Sequence, residues 1–526
     1  MSQPLQAHTI AGRIARAFLH NPLTPLLGIT LLLLGYLALV ITPREEDPQI
    51  AISGGTIMVM LPGASPEEVR NVIIKPLERK IKEIQGVEHI YGVAAQNMGM
   101  LNVMYTIGED REISNVKLYD KVMQNMDQLP KGALAPLVRP FDIDIDIPIL
   151  SVAFYLKPDS PLDYVGLTQR VDAVRSGLGG VENLAKMEIK GGATEQYNIL
   201  VDAHKLSFYG LSLGQVAVQL DALLSKNPNT KLRTKEGELV VFGVQGVLEN
   251  KTQLQHLIVA LHQGAPVYLQ DIATITQGEA VQTFERAYVH LPNSLENAHR
   301  QVTLTLSKLR GSNAVVIAQE VLEELKAWEE VFANEGIGTL VTRNYGTRAD
   351  KAVNDLVSNL AVSIVIISLL LVFTLGWRES LIVTFLVPAI FAVTLFVAYL
   401  GDQTINRITL FAFLLSLGIL VDAAIIVIEN IHRHLQTKGS SDRSTDEIIL
   451  EATDEISAPT NIATIAIILT MVPMAFVGQM MGQFMRPIPL NVPVTIFASL
   501  VIAYIFAPYL ARRILKRAPK GDSHEV

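Results

Sequence analysis

The stretch GILVDAAIIVIEN, residues 418 to 430, sets Asp422 near the middle of an otherwise apolar run, with no Lys, Arg or His at depth beside it. A carboxylate at the centre of a spanning helix costs roughly 2.5 to 3.5 kcal/mol on insertion scales. Low dielectric disfavours the charged form, so an acid held there can bind and release a proton. That is the chemistry of a proton relay; the alternative is a permanently protonated acid hydrogen-bonded to a neighbouring helix. Glu429 lies two helical turns further along the same face. It is the weaker candidate, either the inner stop of the same path or an interfacial carboxylate that snorkels to water. Ser416, Asn406 and Thr464 are polar positions that could extend a wet track, although single Ser and Thr residues in spans tend to bond back to their own helix.

Other chemistry-bearing groups read more plainly. Asp142, Asp144 and Asp146 alternate with isoleucine, but Pro148 follows where a calcium loop would place Gly and a distal Glu. A solvated strand or connector is the reading. Met98 and Met100, with Met104 nearby, repeat the alternation of Met58 and Met60. Same-face thioethers could hold a soft ion such as Cu(I), but a core or cleft lining is preferred and no metal set is assigned. No Walker loop, nucleophile elbow, HExxH or Gly-rich dinucleotide turn stands in a supporting context. No cofactor is therefore expected, and the chain does not read as an enzyme.

Asp422 must be positioned by a membrane bundle. Of the 526 residues, 49% are hydrophobic and the mean hydropathy is +0.33. Apolar runs long enough to cross a ~30 Å hydrocarbon core fall near 23–42, 355–376, 381–400, 408–430, 459–481 and 490–511. The first leads into TPREEDP without a small-residue cleavage site, so it is read as a span and not as a signal peptide. Arg13 and Arg16, Arg378, then Arg433, Lys438 and Arg443, and finally Arg512, Arg513, Lys516, Arg517 and Lys520 mark one side; the opposite short loops carry Arg407 and Arg486. The positive-inside rule then makes 1–22 and 512–526 cytoplasmic and puts 43–354 on the far side. Trp377 suits an interfacial anchor, and 431–458 reads as a loop plus an amphipathic helix on the cytoplasmic surface. The chain has no cysteine, which excludes disulfides, and its net charge of -8 gives no case for nucleic acid.

The outer part carries an internal repeat. TIMVMLPG, a helix opening at Ser65, Pro66 and Glu68, then HIYGVAAQ and MLNVMYTI read strand, helix, strand, strand. From 148 to 201 the order recurs: IPILSVAFYL, a helix opening at Ser160, Pro161 and Asp163, then LAKMEIKGG and EQYNILVD. Ser N-caps followed by Pro are helix-start signals, and Pro76 is expected to kink or shorten the first helix. The duplicated unit predicts α+β domains with antiparallel sheets. A more polar, β-rich insertion follows the helix LSLGQVAVQLDALL, at roughly 225–280.

LGWRESLIVTFLVPAIF, then INRITLFAFLLSLGILVDAAIIVIENIHRH and TMVPMAFVG, closely resemble the second to fifth spans of resistance-nodulation-division (RND) efflux pumps. LPGASPEEV, YGLSLGQVAVQL and PVYLQDIATI are similar to that family's porter and docking segments. The resemblance implies a six-span, multi-pass half of a proton-driven antiporter in the bacterial inner membrane. It also implies a periplasmic α+β domain of ferredoxin-like porter repeats: 43–140 as the first subdomain, 141–224 as the first part of the second, 225–280 as a docking insertion, and 281–354 as the remainder of the porter subdomains. Expected partners are a second homologous half, a trimeric assembly, a periplasmic adaptor, an outer-membrane channel and membrane lipid. Asp422 matches the first of the family's proton-carrying aspartates, whereas Ala423 stands where many drug exporters have a second. That departure tilts slightly toward metal exporters. The absence of methionine from the fourth span argues the other way, so drugs or amphiphiles are preferred, with heavy-metal export or a non-transporting scaffold or receptor as alternatives.

Overall fold

A backbone in hydrocarbon must satisfy its own hydrogen bonds, so long apolar runs become helices. The computed structural model describes residues 9–48, 50, 52–141, 143–224, 230–233, 239–242, 250–280, 286–291, 294–437 and 443–516. Six of its helices are long and apolar enough to cross a membrane: span 1 Thr24–Ile41, span 2 Tyr345–Thr374, span 3 Trp377–Leu400, span 4 Arg407–Gln436, span 5 Thr445–Ala475 and span 6 Gln479–Ile514. Over their most apolar windows, spans 3, 4 and 6 are 56%, 56% and 61% buried, against 11% and 17% for spans 2 and 5. The first three therefore form the heart of the bundle.

The surface helix expected within 431–458 is not separate. Ser444 caps a helix that starts at Thr445 and continues unbroken into span 5. Ile448, Ile449 and Ala452 are buried in its first turns, so packing in the bundle replaces the membrane surface as their cover. Lys438 lies outside the described residues, as do Arg517 and Lys520. The amphipathic helix is instead Ile10–Leu19, capped by Thr9, with Ala11, Ala15 and Leu19 buried. Span 1 sits on span 3 through Gly35, where a Cβ would lie 2.3 Å from the Ala392 backbone. Such close approach of small residues holds helices together where no hydrophobic effect can.

In the soluble part, β1 (Gly54–Met60), β2 (Val87–Ala95), β3 (Met98–Tyr105) and β4 (Leu137–Pro140) form an antiparallel sheet in the order β2-β3-β1-β4. Strand alternation sends Ile57, Val59, Leu101 and Val103 into a core closed by helices on one face. Ser65 caps the first helix, accepting from Glu68 N–H. Pro76 neither ends nor breaks this helix. A π-helical turn, Arg70–Ile74, precedes it and absorbs the missing donor before the α-helix resumes over Lys75–Ile81.

The second unit corrects the expected repeat. Its strands β5 (Leu150–Leu156) and β6 (Leu184–Lys190) are as read, but EQYNILVD is not its third strand. That segment, β7 (Glu195–Val201), begins an insertion with β8 (Thr230–Arg233), β9 (Leu239–Phe242), β10 (Ile258–His262), β11 (Ala265–Tyr268) and β12 (Ala273–Glu279). After β13 (Ala287–Leu291), the missing strand is β14 (Ser294–Lys308), and β15 (Ile337–Asn344) closes the sheet. β14 pairs β5, and β5 pairs β15, so the order β6-β14-β5-β15 repeats that of the first unit. The physical reason is burial: Val302, Leu304 and Leu306 are fully buried, whereas β7 leaves Leu200 75% exposed. The cap also differs from the expectation. Asp163 caps the helix Tyr164–Gly177, because Ser160 is held by its bond to Glu335 O at 2.7 Å.

Lys190 pairs with Thr303 and Ala287 with Gln301. β6 and β13 thus lie end to end along one edge of β14, a single strand interrupted by the insertion. Gly191, at φ +73°, makes the break: a Cβ there would meet Ala287 Cβ at 2.9 Å. From this root β7 and β12 rise as a two-stranded stalk, Glu195 opposite Glu279 and Val201 opposite Ala273. The insertion has its own core, which includes Leu206, Val216, Leu254, Val267 and Leu269. The helix of LSLGQVAVQLDALL (Leu213–Leu224) therefore belongs to the insertion and not to the second unit. Residues 225–229, 234–238 and 243–249 lie outside the described residues.

Candidate functional site

Asn406 starts span 4. Its side chain accepts from Ile408 N–H and Thr409 N–H, both at 3.0 Å, while Thr409 Oγ1 accepts from its backbone N–H. These bonds satisfy orphan donors at the helix start, so Asn406 is a cap. Ser416 is fully buried and donates to Phe413 O at 2.9 Å. Thr464 is buried on span 5. None of the three has a hydrogen bond to Asp422 among the described residues.

Span 4 has two faces. Phe413, Leu420, Ala424, Val427 and Ile431 are buried inside the bundle. The opposite stripe, at spacings of three and four residues, holds Phe411, Leu415, Gly418, Asp422, Ile426 and Glu429, all exposed. Among the described residues neither Asp422 nor Glu429 has an ion-pair or hydrogen-bond partner. Nothing lies within 4 Å of a Cβ placed on Gly418, one turn before Asp422. The acid therefore points outward from the chain, beside an open, side-chain-free surface at Gly418. An uncovered carboxylate in hydrocarbon is unfavourable, so this face requires cover that the described residues do not supply.

Polar networks close both ends of the bundle. At the end where the spans meet the chain termini, Glu379, 6% exposed, lies with Oε1 2.7 Å from His432 Nδ1 and joins span 3 to span 4. Glu455 of span 5 meets Arg433 and His434, and Asp446 meets Arg512 and His20. Trp377 is exposed there, stacked under the Arg378 guanidinium at 5.1 Å. At the other end, each charged residue of the connector Arg44–Asp47 pairs with a different side chain. Neither network was read from the sequence. The one available signal was the charge run REED directly after an apolar run, and it names no partner.

In the soluble part, Met60 stands opposite Met98 and Met58 opposite Met100. All four project from the sheet face away from the helices, and Met104 shares that face. Asp142 lies outside the described residues, and Ile143–Asp146 is a short helical turn in place of the expected extended segment. Asp146 accepts from Lys186 at 3.1 Å. Arg300 of β14 donates to Glu279 of the stalk and lies over the Tyr164 ring at 4.3 Å. This hydrogen bond holds the Glu279 carboxyl below the usual carboxylate range.

A sequence profile of the AcrB/AcrD/AcrF family matches residues 14–526. The swarming motility protein SwrC of Bacillus subtilis (strain 168) is 25% identical over 516 residues, covering 91% of this chain. The chain spans 47% of that relative's length.

Proposed function

Because this chain belongs to the AcrB/AcrD/AcrF family, a family of membrane transporters, we propose that it is one half of a proton-driven export permease with Asp422 as proton carrier. The observation that carries this reading is the uncovered stripe of span 4, with Asp422 and the open surface at Gly418 on it. A titrating acid does work only if its surroundings differ between two states. A companion half laid on this stripe would supply both the cover and the changing partner. The relative's greater length is consistent with such a half. Glu429, on the same stripe, serves as the inner stop.

The remaining assignments follow from the same reading. Both termini face the cytoplasm and 43–354 the periplasm of a bacterial inner membrane. The β-α-β-β-α-β order and matching strand orders support ferredoxin-like porter units, with the stalked insertion as the docking element. The assembly is a trimer working with an adaptor and an outer-membrane channel, it has no enzymatic activity, and its cargo is amphiphilic organic molecules. A second reading, export of soft monovalent metal ions, is favoured by the in-register methionine pairs on β1 and β3. Silver(I) titration of Met58→Leu and Met100→Leu separates the two.

The test replaces Asp422 by Asn, which keeps shape and hydrogen bonding but not titration. In vesicles holding the transporter assembled with its companion half, a pH-sensitive dye should report loss of proton movement while assembly and insertion persist. Unchanged proton movement would return Asp422 to a structural role.

A further inference from the structure

The connector from span 1 to the first sheet touches the starts of spans 2 and 4 and the second outer unit. Three backbone bonds tie it to the segment opening span 4: Ile405 N–H to Pro43 O at 2.9 Å, Glu45 N–H to Ile405 O at 3.0 Å, and Arg407 N–H to Glu46 O at 3.1 Å. A fourth, Ala314 N–H to Arg44 O at 3.1 Å, ties it to the first residue of the helix Ala314–Lys326 of the second unit. The side chains repeat the pattern. Arg44 meets Asp350 at 2.7 Å and Glu46 meets Arg348 at 3.0 Å, both on the first turns of span 2. Asp47 meets Arg407, the first residue of span 4. Glu45 meets Lys308, the last residue of β14, at 3.2 Å.

The last pair stands apart from the others. Its two side chains are each only 6% exposed. Removing both charges from water costs several kcal/mol per ion, and well-packed apolar residues of similar volume are commonly neutral or stabilising by comparison. Stability alone does not account for it. What an ion pair supplies and an apolar contact does not is directional attachment. Beside it, burial pushes the Glu46 carboxyl above its ordinary range although Arg348 favours its charge, and Glu46 Oε2 is buried without a hydrogen-bond partner. The connector has thus taken on several charged groups where it touches both the start of span 4 and the second unit.

We propose that residues 43–47 form a strap that transmits displacement of span 4 to the second outer unit, with Glu45 and Lys308 as positioning residues of the transport cycle. This rests on the reading of Asp422 as the group that moves span 4. Span 4 pulls the strap through Ile405 and Arg407, and the strap pulls β14 and the helix Ala314–Lys326 through Lys308 and Ala314.

The test uses hydrogen exchange on the assembled transporter in lipid nanodiscs. Asp422→Asn, which fixes one protonation state, should change amide exchange over 303–326 by about tenfold, the equivalent of ~1.4 kcal/mol. With Glu45→Met and Lys308→Met together, that response should fall to less than about twofold, while thermal stability stays near the parent's because an apolar pair fills the same space. The charge swap Glu45→Lys with Lys308→Glu should recover part of it. Lack of any response to Asp422→Asn in the parent overturns the proposal, as does an undiminished response in the Met pair. If the response is strap-dependent but Asp422→Asn still moves protons, the strap stands and the proton reading falls.

Discussion

Gly35 and Gly28 lie two turns apart on span 1, and they separate two kinds of close contact. A Cβ on Gly35 would sit 2.3 Å from both Ala392 Cα and Ala392 Cβ, whereas on Gly28 the nearest atoms are ring edges of Phe506 at 3.0 Å and Phe385 at 3.2 Å. Rings can tilt; a helix backbone cannot. To bring 2.3 Å to the 3.4 Å of ordinary contact, Gly35→Ala must push span 1 about 1.1 Å from span 3. Overpacking of this kind costs ~1–3 kcal/mol. Both variants gain the same helix propensity, ~0.8–1 kcal/mol for Ala over Gly, so their difference isolates the steric cost. Gly35→Ala should be less stable than Gly28→Ala by ~1–3 kcal/mol, about five- to 150-fold in the folding equilibrium. Equilibrium unfolding in mixed micelles of rising SDS fraction measures it. Equal stabilities, or the reverse order, would refute the claim that span 1 is seated on span 3 by backbone contact. The result also bears on transport, because span 1 leads directly into the strap and its retreat would carry Pro43–Asp47 with it.

Two further outcomes test the soluble part. Leu304→Ala should cost ~2–5 kcal/mol, since Leu304 is fully buried. Leu200→Ala should stay within about 0.5 kcal/mol, since Leu200 is 75% exposed; thermal unfolding of the two variants checks that β14 and not β7 is the third strand. The acid limb of stability should include the stalk brace. The Glu279 carboxyl is held low by Arg300, so its contribution is present above the ordinary carboxylate range, about pH 4.3, and is lost as pH falls through the lowered folded value. The thermal unfolding midpoint should fall on acidification, and Glu279→Gln should show the lower midpoint already at neutral pH.

The spans were legible because each is a local run whose length meets the thickness of a bilayer, and no distant residue is needed to see it. Their ends were not, since Ile448, Ile449, Leu450 and Ala452 gain their burial from neighbouring helices. The first sheet was legible for the same reason: β1, the helix after it, β2 and β3 follow one another without interruption. The second sheet was misread where locality failed. β7 and β14 both alternate apolar and polar residues, and only pairing with β5, more than a hundred residues away, distinguishes them. The outward direction of Asp422 followed from helical periodicity only once the buried face of span 4 was known. The strap was invisible: Arg44 and Asp350 are 306 positions apart, and Asp47 and Arg407 are 360 apart.

The break at Gly191 has a consequence for how such proteins change over time. The insertion leaves the sheet beside Lys190 and returns at Ala287, and these two points sit against each other. The register of β14 is set by its pairing with β5, β6 and β13, so the loop between the two points is already closed by strand pairing at its base. The second unit is therefore a socket. A lineage can lengthen, trim or exchange the stalked element to suit a new neighbour while the sheet below continues to fold from the same contacts, and the price of novelty is borne by one glycine turn.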